Sequence, residues 1–600
     1  MRHNIFLTLK AGLASCALVG GVAFAQPDNE PLAGSDLPLF SGVDPSPAAA
    51  PVPELELTGE LLFQILAADI AAQRGAWAAA TNTGLQIARS TRDYRLARRA
   101  LEYALAGNDL PRAWEAAQLW AELSPQDPQA RQTELMLAAA NGHTENLAKA
   151  LRQQIDGAKD KGTAIIHAQQ ILSRLADKPR ALALLDEVLA GDLRKLPEAR
   201  LALAQSSFEA GDHERALREA RAALAARPDW DIAAGMVLQF GVNLEPEETL
   251  TSTRAFIKRH PEARDLRLAL VSALVQRGDY DGAMAELQAM SKYAPEDFEL
   301  IYLQGAISYE AGRPREAEKY LNTYIQIESG RRQASADAYD PTSALADAQL
   351  MLARIAEEEG RYDDAFRLLQ QVTAPEAEYL ARLRQAVVRG KQNRIDEAMR
   401  LLDESNPEDE REQVMQALTR AQILREAGRV AQAAAALEAA VAVLPDSTEL
   451  RYDLALLYER LGRLGDMEQQ LRRIIALDPG HAHAYNALGY TLADRNVRLD
   501  EAHQLIERAL QLRPNDAAIL DSMGWVLYRR GENERALEYL QRAWRLQPEA
   551  EIGVHLGEVF WSVGRHDEAL QIWRTIRAEE PDNSLLQQTL RRLHIDLTDR

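Results

Sequence analysis

Residues 209–230 read EAGDHERALREARAALAARPDW, and their spacing decides the fold. Gly211 takes the left-handed conformation that ends one helix, a shape that costs glycine nothing. Ala216, Ala220 and Ala223 then follow at helical spacing, small enough for a second helix to lie close against the first. Pro228 stops that second helix and turns the chain. The unit is a helical hairpin. The same offsets recur at residues 529–548, with Gly531, Ala536, Leu540, Ala543 and Pro548, and at residues 562–581, with Gly564, Ala569, Trp573, Ile576 and Pro581.

Outward from these units the turn position falls at Gly75, Asn108, Asn141, Ala176, Gly211, Leu244, Gly278, Gly312, Gly360, Asn393, Gly428, Gly462, Asn496, Gly531 and Gly564. Successive gaps run from 33 to 35 residues, with one of 48 between Gly312 and Gly360. That register predicts about fifteen hairpins in an all-α chain. Ala176 and Leu244 are poor turn residues, so their two hairpins are the least regular.

The period and the stretches AYNALGYTLADRN, LDSMGWVLYRRG and VHLGEVFWSVG, with Gly489, Gly524 and Gly557 at one shared position, resemble the tetratricopeptide repeat. The resemblance covers about nine-tenths of the chain. It implies a right-handed superhelical α-solenoid whose first helices line a groove. Residues 57–327 and 346–582 are expected as two arms. Residues 328–345, which include ESGRRQASADAYDPTS, are expected as a loop or hinge. Residues 583–600 read as an amphipathic helix that caps the last open seam.

The start of the chain has the three parts of an export signal: a charged MRHN with Lys10, an apolar stretch, and a small-residue end at Ala23-Phe24-Ala25. Cleavage after Ala25 is the favoured reading, giving a signal peptide at 1–25 and a Pro- and Ala-rich tether at 26–56. It keeps Lys10 out of the apolar core. The alternative is a lipobox, LASC, with lipid on Cys16 and attachment to the outer membrane. Either places the chain in the periplasm. The membrane is then reached only through that N-terminal anchor. Cys16 is the sole cysteine, which excludes internal disulfides and thiolate metal sites. Loss of residues 1–25 takes the formal charge from −21 to −23, a field that repels nucleic acid.

No nucleophile elbow, phosphate loop or HExxH is present, and the closest histidines, His481 and His483, sit two apart at a helix start, where they do not share a face. The chain is read as a non-enzyme without cofactor or metal. Aligning the last units on Gly489, Gly524 and Gly557 instead puts Asn486, Tyr490, Asp521, Trp525, Tyr528, Arg529 and Trp561 on the groove side, with Asp494 and Glu558 beside them. Rigid rings next to amide and guanidinium groups suit an extended peptide. Packing between neighbouring hairpins is the competing role for Tyr490 and Trp525.

The export signal, the tether and the sequences around Gly489, Gly524 and Gly557 further resemble the long Gram-negative envelope adaptors that bind carboxyl-terminal processing proteases. The resemblance implies protein partners: the protease and the cell-wall hydrolases brought to it. Members of that group are typically outer-membrane lipoproteins, so the weak lipobox is a departure. A scaffold for envelope assembly or polysaccharide export is the alternative.

Overall fold

A computed structural model describes residues 56–334 and 342–597. The expected signal peptide with Cys16 and Ala25, and the tether up to residue 55, lie outside the described residues. Within them, thirty-one α-helices form fifteen hairpins and leave one last helix, Ser584–Leu593; no strand is present among the described residues. None of these helices is long and apolar enough to cross a membrane.

The turns explain the hairpins. Twelve of the fifteen expected turn residues are left-handed, with φ between +54° and +84°. An aspartate often follows, as Asp212 does after Gly211 and Asp279 after Gly278, and its carboxylate accepts an amide N–H of the first turn of the next helix. One helix is ended and the next started within three residues. At the third hairpin the left-handed residue is Gly142 rather than Asn141, because glycine takes that conformation more cheaply. Ala176 and Leu244 are not left-handed. The fourth hairpin, Lys161–Leu172 with Lys178–Val188, restarts on the Asp177 cap, and the sixth restarts on Pro246, whose missing N–H costs nothing at a helix start.

Five residues past the turn lies the closest contact. Ala80, Ala113, Ala216 and Ala283 in the first part of the chain, and Ala433, Ala536 and Ala569 in the second, are wholly buried there. In the thirteenth hairpin a second left-handed residue, Arg498, lengthens the turn, and Ala502 fills the place one step later. The facing residue on the first helix is often glycine. A Cβ on Gly524 would lie 2.5 Å from Leu540 Cγ and 3.1 Å from the Ala536 carbonyl oxygen.

The chain divides into two compact units between Arg313 and Pro314, inside the eighth hairpin and not at the expected hinge. Both ends of the expected loop are helical. Helix Pro314–Ala334 runs through residues 328–334, where Arg331 Nη1 donates to Glu328 Oε1 one turn back at 2.9 Å, and the next helix begins at Thr342. Residues 335–341 lie outside the described residues. In the first unit alanines and leucines such as Ala97, Ala100, Leu101 and Ala104 fill the seams, with Trp120 fully buried. In the second unit one continuous core extends from Tyr379 to Leu597.

Gly524→Ala is expected to destabilise the second unit by about 1–3 kcal/mol, because the Ala536 backbone cannot give way. Gly235→Ala, where nothing lies within 4 Å of the added carbon, is expected to gain up to about 1 kcal/mol. Denaturant unfolding of the two variants checks both signs.

Candidate functional site on the last three hairpins

The first helices of the last three hairpins, Ala482–Asp494, Ala517–Arg529 and Ala550–Ser562, present the residues aligned on the shared glycines. Tyr490, one step past Gly489, donates its hydroxyl to Glu551 Oε1 at 2.9 Å, so the thirteenth hairpin reaches across the fourteenth to the fifteenth. Between them lies His555. Its ring stacks on Trp525 at a centroid distance of 4.2 Å and an angle of 22°, and the Tyr490 ring lies 6.0 Å away. Its Nδ1 is 2.9 Å from Asp521 Oδ2.

A second chain of contacts runs beside the first. The Tyr528 ring is 5.3 Å from Trp525, and its hydroxyl donates to Glu558 Oε1 at 3.2 Å. Arg592, from helix Ser584–Leu593, donates to Glu558 Oε2 at 2.5 Å. Arg529 donates to the Asp494 carbonyl oxygen at 3.1 Å and holds its guanidinium 5.6 Å from the Trp525 ring. Burial, and then the carboxylates beside them, push both phenols up: Glu551 acts on Tyr490 and Glu558 on Tyr528. Both hydroxyls therefore stay protonated donors. Burial pulls the His555 imidazole down, but the Asp521 carboxylate, with Glu551 and Glu558 behind it, outweighs burial and raises it above 6.5.

The expected groove residues thus separate into three groups. Trp525 and Asp521, at 4% and 5% exposure, are buried under His555 and offer no open contact surface, contrary to the groove expectation. The reason is that the neighbouring hairpin supplies an aromatic cation-former at the stacking distance. Asn486, Tyr490, Tyr528 and Arg529 are half-buried and border this floor, with Asp494 and Glu551 exposed beside them. Trp561 leaves the group: it stacks on His566 at 4.0 Å and lies 6.0 Å from Trp573, both on the second helix of its own hairpin. Buried and without a hydrogen-bond partner in this region are Asn486 Oδ1, Trp525 Nε1 and Arg529 Nε.

Pattern reading missed His555, Glu551 and Arg592. A histidine two residues before the shared glycine was the available signal for the first. His481 and His483 take structural roles: His481 Nδ1 accepts the Ala484 N–H at 3.1 Å, and His483 Nε2 lies 3.1 Å from Arg513 Nη1. Among the described residues no three His, Cys, Asp or Glu side chains are grouped to hold a metal ion.

Stacked helical hairpins whose first helices carry an acidic and aromatic face define a repeat scaffold, built to hold other chains along its length. Tetratricopeptide-repeat models match residues 274–338 and 424–489, residues 250–290, 468–517 and 522–584, and residues 347–374. A TPR repeat-containing protein of Pseudomonas aeruginosa is 35% identical over 214 residues, which is 35% of this chain and 36% of that one, so the match spans about a third of the relative's length. Solved structures that the chain resembles include a thermophilic TPR protein of Thermus thermophilus (24% identity, 30% of this chain and 100% of that one, TM-score 0.28). Yeast Tom70 is another (14% identity, 75% of this chain and 95% of that one, TM-score 0.36). Between residues 250 and 584 the chain is thus similar to tetratricopeptide-repeat proteins, and its stacked hairpins form a scaffold of the kind that mediates protein contacts.

Trp525→Ala is expected to cost about 3–5 kcal/mol of stability in the last hairpins, as loss of a buried ring does. Tyr490→Phe, which removes one rim hydrogen bond, is expected to cost about 1 kcal/mol. Thermal unfolding of the full chain separates the floor from the rim.

Proposed function

We propose that the chain is a periplasmic adaptor that binds a carboxyl-terminal processing protease and brings cell-wall hydrolases to it. The observation that carries this reading is the presence of two chemically different surfaces, one in each compact unit. In the second unit the rim of Tyr490, Tyr528, Arg529, Asp494 and Glu551 is aromatic and acidic, suited to a basic or extended peptide segment. In the first unit, helix Gly59–Gln73 buries Ala68 and Ala72 and turns Leu62, Phe63, Leu66 and Ile70 outward, at 43%, 71%, 49% and 47% exposure. These four lie within about 100° of one another around the helix, forming a continuous apolar stripe. Contiguous exposed apolar surface marks a protein contact. Its acidic neighbours, Glu60 and Asp69, disfavour an anionic membrane surface instead.

An adaptor needs one surface for the enzyme and another for what the enzyme cuts, and a solenoid supplies both without a catalytic group of its own. The export signal and the sequences around the shared glycines, which resemble the envelope adaptors, support the compartment and the class of partner.

Affinity capture from a Gram-negative envelope extract tests the reading. The full chain is expected to retain a serine protease and a cell-wall hydrolase. A Phe63→Glu, Leu66→Glu double variant, whose side chains are exposed and whose fold is spared, is expected to lose at least about tenfold of one of the two, the ~1.4 kcal/mol scale of a single good contact. Retention of assembly or export machinery with no serine protease contradicts the proposal.

A further inference from the structure

We propose that the His555–Asp521 pair is a charge latch that holds the fifteenth hairpin against the fourteenth, and that loss of the imidazolium charge uncovers the aromatic floor beneath it. The geometry carries this. His555 is 2% exposed and stands between the two hairpins, with Asp521 on one edge of its ring and Trp525 on its face. A charged imidazole gains from both: a charge-assisted hydrogen bond to the carboxylate and a cation–π contact to the indole.

The groups that face this position come from four helices. Its own helix, Ala550–Ser562, brings Glu551 and Glu558. Helix Ala517–Arg529 brings Asp521, Tyr528 and Arg529, and helix Ala482–Asp494 brings Tyr490 and Asp494. The last helix brings Arg592. Their pairings divide the charge unevenly. Arg592 answers Glu558, Arg529 is committed to the Asp494 carbonyl, and Tyr490 is a neutral donor to Glu551. The cation that Asp521 is paired with is His555.

The sign follows from linkage. The folded state holds the imidazole proton more tightly than the unfolded chain, so the stabilisation is fully present below about pH 6.5 and is lost as pH rises through the higher folded-state value. Above it, Asp521, at 5% exposure, keeps a neutral hydrogen-bond donor but no counter-charge, and the stack on Trp525 loses its cationic half. The contact that yields first is the one made only through His555. Helix Ala550–Ser562 then opens from Ala517–Arg529 more often, because only the Tyr528–Glu558 and Tyr490–Glu551 hydrogen bonds and the apolar core still hold it. The consequence for partners rests on reading this face as a binding surface; the latch itself does not.

Hydrogen exchange of the full chain, without any partner, tests the latch separately from the adaptor role. After correction for intrinsic exchange rates, protection of helices Ala517–Arg529 and Ala550–Ser562 is expected to fall about tenfold between about pH 6 and about pH 9, as a charge-assisted hydrogen bond becomes a neutral one. Helices of the first unit serve as the internal control and are expected to stay level. His555→Gln, which keeps shape and hydrogen bonding but carries no proton to lose, is expected to show low protection at both values. Asp521→Asn is expected to move the loss to lower pH, since the imidazole is left with burial and weaker neighbours. Level protection in the wild type, or an equal fall in His555→Gln, overturns the proposal.

Discussion

Everything in the molecule depends on how closely the two helices of each hairpin approach. The residue five positions past the turn sets that approach. Where it is alanine, as at Ala216, Ala433, Ala536 and Ala569, no side chain beyond Cβ separates the backbones, and the position is sealed from water. Gly489 and Gly524 take the contact further, with the Ala502 and Ala536 carbonyl oxygens 3.0 Å and 3.1 Å from where a Cβ would stand. A hairpin this thin has an apolar face on each side and cannot bury both by itself. It must stack on a neighbour, and the neighbour on the next. A stack of hairpins with lateral faces follows within each unit from that one steric condition.

The periodic parts of this design were legible in the sequence because they are local. A left-handed turn needs Gly or Asn, a close approach needs Ala, and both recur at fixed offsets, so the hairpins could be placed from residues such as Gly278 and Ala283 alone. Where the chain departs from the pattern the reading slipped by amounts with physical causes. Gly142 outcompetes Asn141 for the left-handed position, and Asp177 and Pro246 start helices without any left-handed residue before them. Gly330 and the polar residues around it suggested a loop, yet a helix already running from Pro314 carries through to Ala334.

The candidate site was legible only in part, since its contacts join residues far apart in sequence. Tyr490 meets Glu551 sixty-one residues on, and Asp521 meets His555 thirty-four residues on. The repeat period predicts that position 521 and position 555 are near each other. It does not say that one is an acid and the other a base, or that an indole lies under the ring. Trp525 and Trp561 looked equivalent as aromatic groove residues, but one is covered by the next hairpin and the other turns to its own second helix. In an array that touches only its neighbours, the partner hairpin decides whether a ring is surface or core.

The proposed adaptor role draws on the same architecture. Because each hairpin needs only its neighbours, surfaces of different chemistry can sit on different units without disturbing one another: an apolar stripe on Gly59–Gln73 and an acidic, aromatic rim around Tyr490. Such an adaptor holds two different proteins at once. Sedimentation velocity of the purified chain mixed with a carboxyl-terminal processing protease and a catalytically silent cell-wall hydrolase tests it most directly. A single faster boundary containing all three proteins, absent when the chain is left out, is expected. Protease and hydrolase that compete for the chain, or that sediment together equally well without it, would contradict it.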